Sequence, residues 1–126
     1  MGDPRRRVND SRAVRLDEGV SELSMGIDVR IEDEQGRELA TVLDPQNLVS
    51  QLLPSRQDSA RVCLRFVDPY GDTTFNQLQL PDLIADLRHA VSQSSKEAVR
   101  LHGEALIQLV RWTEGKVHTY VKFVGD

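Results

Sequence analysis

The stretch MGIDVRI, residues 25–31, decides the fold because its apolar and polar side chains alternate one by one. Successive side chains of a β-strand point to opposite faces of the sheet, so this alternation predicts a strand with one buried face. The apolar positions of this strand are Met25, Ile27, Val29 and Ile31. A second alternating stretch, VHTYVKF at residues 117–123, predicts the last strand of the chain.

The residues before Met25 differ in character from those that follow. Residues 1–24 hold only scattered apolar positions, and their arginines are balanced by an equal number of acidic side chains. We therefore expect a loosely ordered tail over residues 1–24 and a single globular domain over residues 25–126. The net charge of −4 then belongs to the domain.

Turn chemistry predicts the elements that follow the first strand. The polar run 32–37 precedes an extended pattern at 39–43, which indicates a β-hairpin with a charged tip. Asp44 and Pro45 are typical of a helix N-cap and first turn, so a short helix is expected up to Pro54.

A second hairpin is expected around the sequence DPYGD at residues 68–72, which suits a tight turn. The strand before it spans residues 61–67, and the strand after it spans residues 73–79. The side chains predicted to face inward from the earlier strand are Val62, Leu64 and Phe66.

Helical periodicity dominates residues 80–112. Ser94 and Glu97 fit a capping box, so a second helix is expected to restart there. Residues 105–112 are also apolar enough for a strand, but the helix is favoured because the apolar stripe from Ala98 stays in phase.

The resulting element order is ββαββααβ. Strands and helices do not alternate one by one, so the sequence predicts an α+β fold with a largely antiparallel sheet of about five strands. We expect the helices to pack on one face of that sheet.

Composition argues against several functional classes. The net charge of −4 disfavours a general nucleic-acid binder, which needs a cationic excess. No apolar run is long enough to cross a membrane. Cys63 is the only cysteine, so no internal disulfide can form and a cytoplasmic location is expected. The three histidines stand in no metal-ligand pattern, so neither a metal nor a cofactor is expected.

The polar loop at residues 68–76 supplies the candidate catalytic groups. Two carboxylates held close together can divide the roles of acid and base, which makes Asp68 and Asp72 candidates, with His118 as a third. The same residue types are those that a β-turn requires, and this structural interpretation is favoured.

The polar phase of the predicted strands forms a candidate partner surface. If the helices cover only one face, the opposite face presents cations and a tyrosine that suit an acidic protein, an anionic ligand or single-stranded nucleic acid. With two loop residues added, the predicted surface comprises Arg30, Arg61, Arg65, Tyr70, Asn76, His118, Tyr120 and Lys122. Arg61 and Arg65 also flank Cys63, where they would favour the thiolate, although a half-buried structural thiol is the favoured interpretation.

Two stretches, DPYGDTTFN at residues 68–76 and VHTYVKFVGD at residues 117–126, resemble a group of short bacterial proteins of uncharacterised function. The resemblance covers residues 25–126. It implies a bacterial source and a compact single domain, and it assigns no activity and no site residues.

The function expected from these observations is protein interaction without catalysis. The partner is another protein or a second copy of the chain, in a regulatory role or in one such as neutralising a toxin. The alternative is a small enzyme or ligand-binding domain that uses residues 68–76.

Overall fold

A computed structural model describes residues 26–125, which form one four-stranded sheet and two α-helices. The elements in chain order are β1 (Asp28–Asp33), β2 (Glu38–Val42), β3 (Asp72–Phe75), α1 (Leu80–Gln93), α2 (Glu97–Thr113) and β4 (Thr119–Val124). The strands lie in the order β2-β1-β4-β3, and every neighbouring pair is antiparallel. The α+β class is confirmed, with four strands instead of about five. The predicted tail and Met25 lie outside the described residues.

The core lies between the inner face of the sheet and the two helices. Val29 and Ile31 of β1 are fully buried and pair with Phe123 and Val121 of β4. The Phe75 ring of β3 meets the Phe123 ring edge-on, with centroids 5.8 Å apart. The helices contribute buried side chains at Leu80, Leu83, Leu87, Leu106, Leu109 and Val110. The alternation predicted for the first and last strands therefore places one face of each in the core.

The helical assignment of residues 105–112 is confirmed, since these residues belong to α2. The predicted capping box is wrong, because Lys96 occupies the N-cap position and makes no side-chain cap bond. Ser94 instead accepts a hydrogen bond from the Lys96 backbone N–H. The helix ends in a turn from Thr113 to Lys116, where Gly115 takes a φ of 82° that favours glycine.

The predicted strand over residues 61–67 is wrong, and the second hairpin does not form. These residues form turns and a 3₁₀ helix at Leu64–Phe66, and β3 pairs with β4 instead. The buried carboxylate of Asp86 on α1 accepts the backbone N–H groups of Cys63 at 2.8 Å and Leu64 at 2.9 Å. Those bonds hold the segment in a turn, so Leu64 is buried while Val62 and Phe66 are exposed.

Three smaller differences between the predicted and observed elements remain. The helix predicted after Pro45 is only a 3₁₀ helix at Val49–Leu52. The predicted strand over residues 73–79 ends at Phe75, because Asn76 caps a 3₁₀ helix at Gln77–Gln79. Val117 is exposed and precedes β4, contrary to its predicted place on the inner face.

Candidate functional site: the edge of the sheet at β3

The polar loop at residues 68–76 uses its side chains to hold its own backbone. Asp68 Oδ1 accepts the Tyr70 N–H at 2.9 Å, and the Thr73 hydroxyl oxygen accepts the Asp68 N–H at 3.0 Å. Asn76 and Gln79 cap each other's backbone in a capping box. These bonds are the turn chemistry that the residue types favoured, and they give the loop a structural role.

The three predicted catalytic residues are not brought together. Asp72 pairs with Val124 at one end of β4, whereas His118 precedes the other end. Six strand residues span roughly 20 Å at 3.3 Å per residue, too far for joint acid–base chemistry. His118 has a positive φ of 63° and faces Glu34, with Nδ1 and Oε1 3.2 Å apart.

The cationic sheet surface forms only in part. Arg30, Tyr120 and Lys122 lie on the outer face of the central strands. Glu32 lies between the two cations, 3.1 Å from Arg30 Nη2 and 3.6 Å from Lys122 Nζ. Their charges are thereby offset within the face, and Lys122 also lies 3.4 Å from Asp72. Arg61 and Arg65, which were expected on the same face, lie outside the sheet.

Cys63 has the opposite character from the thiolate that its arginine neighbours suggested. Its side chain is buried, with Sγ 3.7 Å from the Gln79 carbonyl oxygen. Burial, followed by the charges of Asp86 and Asp82, raises the pKa of the thiol to about 11. The thiol is therefore structural in the folded chain.

Large apolar side chains are exposed on the chain segments before and after β3, and two of them, Val62 and Phe66, were predicted to face the core. Phe66 is 56% exposed, Tyr70 is 81% exposed and Leu78 is 89% exposed. Val62 is also exposed and precedes Cys63 in the chain. The Cys63 thiol contacts the Gln79 carbonyl oxygen, so the segment before β3 contacts the segment after it. The Arg65 guanidinium covers the Phe66 ring at 4.5 Å.

The backbone of β3, which lies between these segments in the chain, has outward-pointing groups of its own. The Gly125 N–H donates to the Gly71 carbonyl at 2.7 Å, which sets the phase of the β3–β4 ladder. By antiparallel alternation Thr73 and Phe75 then bond to β4, while the N–H and C=O of Asp72 and Thr74 point away from the sheet. Both residues are exposed, and no bond within residues 26–125 reaches those N–H groups. We call these backbone groups, with the side chains of Val62, Phe66, Tyr70 and Leu78, the β3 edge surface.

A buried polar pair lies at the other side of the domain. The Asp44 carboxylate is fully buried and accepts the N–H groups of Ile27, Leu48 and Val49 within 3.0 Å. The predicted N-cap position of Asp44 is wrong, because Leu48 is the N-cap of the 3₁₀ helix, but the Asp44 carboxylate does accept backbone N–H groups at the start of that helix. His102 Nε2 of α2 lies 3.8 Å from Asp44 Oδ1. Burial lowers the pKa of His102, and the nearby Asp44 charge offsets only part of that effect.

Residues 26–125 contain no cluster of three or more His, Cys, Asp or Glu side chains suited to a metal ion. None of the helices in that range has both the length and the apolar character needed to cross a membrane.

Comparison of the chain with protein-family models, with curated proteins and with solved structures gave no match in any of the three. The resemblance to short bacterial proteins therefore stays a prediction.

Proposed function

We propose that this chain is a protein-interaction domain that binds through the β3 edge surface. The observation that carries this proposal is the exposure of Phe66, Tyr70 and Leu78 around a strand edge whose outward backbone groups have no partner within residues 26–125. An open strand edge is a template for pairing with another chain, and exposed apolar groups beside it add area that binding would remove from water. A cytoplasmic location belongs to the same proposal, since Cys63 is a free thiol.

The occupant that fits this edge best is a second copy of the chain. If two β3 strands pair antiparallel with Thr73 opposite Thr73, the outward groups of Asp72 meet those of Thr74 from the other copy. The Asp72 carboxylate then lies opposite a threonine hydroxyl, so no like charges face each other across the dyad.

The apolar side chains support the same arrangement. Tyr70 precedes β3 and Leu78 follows it, so antiparallel pairing brings Tyr70 of one copy toward the Gln77–Gln79 turn of the other. Tyr70 of each copy would then cover Leu78 of the other copy, which is the self-complementarity that a two-fold dimer requires. The enzyme alternative has no comparable support, because Asp68, Thr73 and Asn76 bond to backbone groups of their own loop and Asp72 is paired with Lys122.

Sedimentation equilibrium of the full chain over a wide concentration range tests this proposal. Thr74→Pro removes an outward N–H at an edge position that tolerates proline, and Thr74→Ala keeps that N–H as the matched control. Leu78→Ser removes an apolar contact, and Leu101→Ser is its control, since Leu101 is 61% exposed on α2.

We expect the wild type and both controls to dimerise, and Thr74→Pro and Leu78→Ser to remain monomeric with unchanged circular dichroism. A wild-type chain that stays monomeric at the highest concentration would contradict the proposal. So would a dimer that survives in Thr74→Pro.

A further inference from the structure

A cleft of about 420 Å³ opens beside the C-terminal half of α1 and shares no residue with the β3 edge surface. Its walls are the start of α2 and the chain that follows the 3₁₀ helix at Val49–Leu52. Small-molecule sites occupy roughly 300–1,000 Å³ and combine an apolar lining with a few placed polar groups. The apolar side chains that line this cleft are Leu52, Leu53, Pro54, Leu64 and Ala90.

Asp86 on α1 places one oxygen of a buried carboxylate in this cleft. Its Oδ2 accepts the N–H groups of Cys63 at 2.8 Å and Leu64 at 2.9 Å, and these bonds hold the carboxylate in place. Its Oδ1 makes no hydrogen bond or ion pair within residues 26–125, yet it is not sealed from solvent. Because the whole residue is only 3% exposed and lines the cleft, Oδ1 is reached through the cleft.

The Arg, Lys and second Asp side chains of the cleft have partners of their own. Arg61 Nε lies 3.9 Å from Asp58 Oδ2, so these two charges offset each other. Lys96 is exposed at the start of α2, and its Nζ donates to Gln51 Oε1 at 3.1 Å. Water screens the charge of an exposed ammonium group far more than that of a buried carboxylate. The enclosed acceptor Asp86 Oδ1 therefore decides what the cleft selects, which is a hydrogen-bond donor on the ligand.

We propose that this cleft binds a small organic amine with an apolar body. The ammonium group donates to Asp86 Oδ1, because a charge-assisted hydrogen bond satisfies a buried carboxylate better than a neutral donor does. The hydrocarbon part lies against Leu53, Leu64 and Ala90, which removes apolar surface from water. Since two backbone groups already hold Oδ2, the acceptor is in position before the ligand arrives. The site is independent of the proposed dimer, because the two surfaces have no residue in common.

A titration followed by amide chemical shifts tests the site in the full chain, with benzylamine as the probe and benzyl alcohol as its uncharged match. Asp86→Asn keeps an acceptor oxygen for the N–H groups of Cys63 and Leu64 and places an amide NH₂ at the position of Oδ1. Asp82→Asn is the matched control, since Asp82 lies one turn earlier on α1, is exposed and does not line the cleft. Ala90→Leu fills the cleft and leaves Asp86 in place.

We expect saturable shifts at the cleft residues, with benzylamine bound at least about tenfold more tightly than benzyl alcohol. Asp86→Asn should weaken benzylamine by at least about tenfold and leave benzyl alcohol unchanged, while Asp82→Asn changes either by less than about twofold. Ala90→Leu should abolish both, which keeps the test decisive if Asp86→Asn folds poorly. No saturable shifts, equal binding of the two probes, shifts outside the cleft, or an equal loss in Asp86→Asn and Asp82→Asn would overturn the proposal.

Discussion

The Cys63 thiol lies beside the start of α1, where Asp82 and Asp86 face it. With a pKa raised to about 11, it is almost entirely protonated at neutral pH, and only the thiolate attacks disulfide reagents. We therefore expect the folded chain to react with an aromatic disulfide reagent only as fast as it unfolds. In denaturant the same thiol should react fully and quickly. Rapid stoichiometric labelling of the folded chain would show that the flanking arginines control the thiol after all.

His102 gives the fold a sensitivity to acid. Because burial lowers its pKa below the value of about 6.5 found in unfolded chains, the unfolded state binds the proton more readily. The neutral side chain thus contributes stability above about pH 6.5, and that contribution is lost as the pH falls through the folded-state pKa.

His102→Gln removes this titration and checks its sign. Urea unfolding should show that the wild type loses more stability than His102→Gln between about pH 7.5 and about pH 5.5. If the wild type instead gained relative stability on acidification, attraction between protonated His102 and Asp44 would outweigh burial.

The packing of α1 against α2 depends on a glycine. A Cβ placed on Gly103 would lie 2.5 Å from Val91 Cγ2 and 3.5 Å from Leu52 Cδ1. Alanine is favoured over glycine inside a helix by about 1 kcal/mol, but overpacking a core costs about 1–3 kcal/mol. The β-branched Val91 can rotate little within a helix, so the contact should dominate.

Gly103→Ala should accordingly destabilise the chain by about 1–2 kcal/mol in urea unfolding. The same substitution in a Val91→Ala background should be neutral or stabilising, because the opposing methyl group is gone. A stabilising Gly103→Ala in the wild-type background would mean that the two helices separate without cost.

The spacing of apolar residues predicted correctly the elements that pack a single face on the core. The alternation in β1 and β4 and the stripe through α2 were sufficient because each element packs one face on a common core. Residues 61–67 alternate as well, yet the Asp86 carboxylate holds them in a turn. A bond between residues more than twenty positions apart leaves no trace in local spacing.

The candidate partner surface, too, could be predicted from local sequence spacing only in part. Tyr70 was predicted as part of a partner surface, and it lies on the β3 edge surface. The exposure of Phe66 and Leu78 could not be found from the sequence, because Phe66 was predicted to face inward from a strand and Leu78 fell within the predicted strand over residues 73–79.

At the scale of the whole molecule, the central claim is that the outward backbone of β3 pairs with a second copy. Residue-resolved hydrogen exchange of the full chain at low and high protein concentration tests it most directly. Thr73 and Phe75, whose N–H groups face β4, serve as internal controls that stay protected at both concentrations. The amides of Asp72 and Thr74 should exchange fast in dilute solution and become protected as the concentration rises. Fast exchange of those two amides at every concentration would contradict the account.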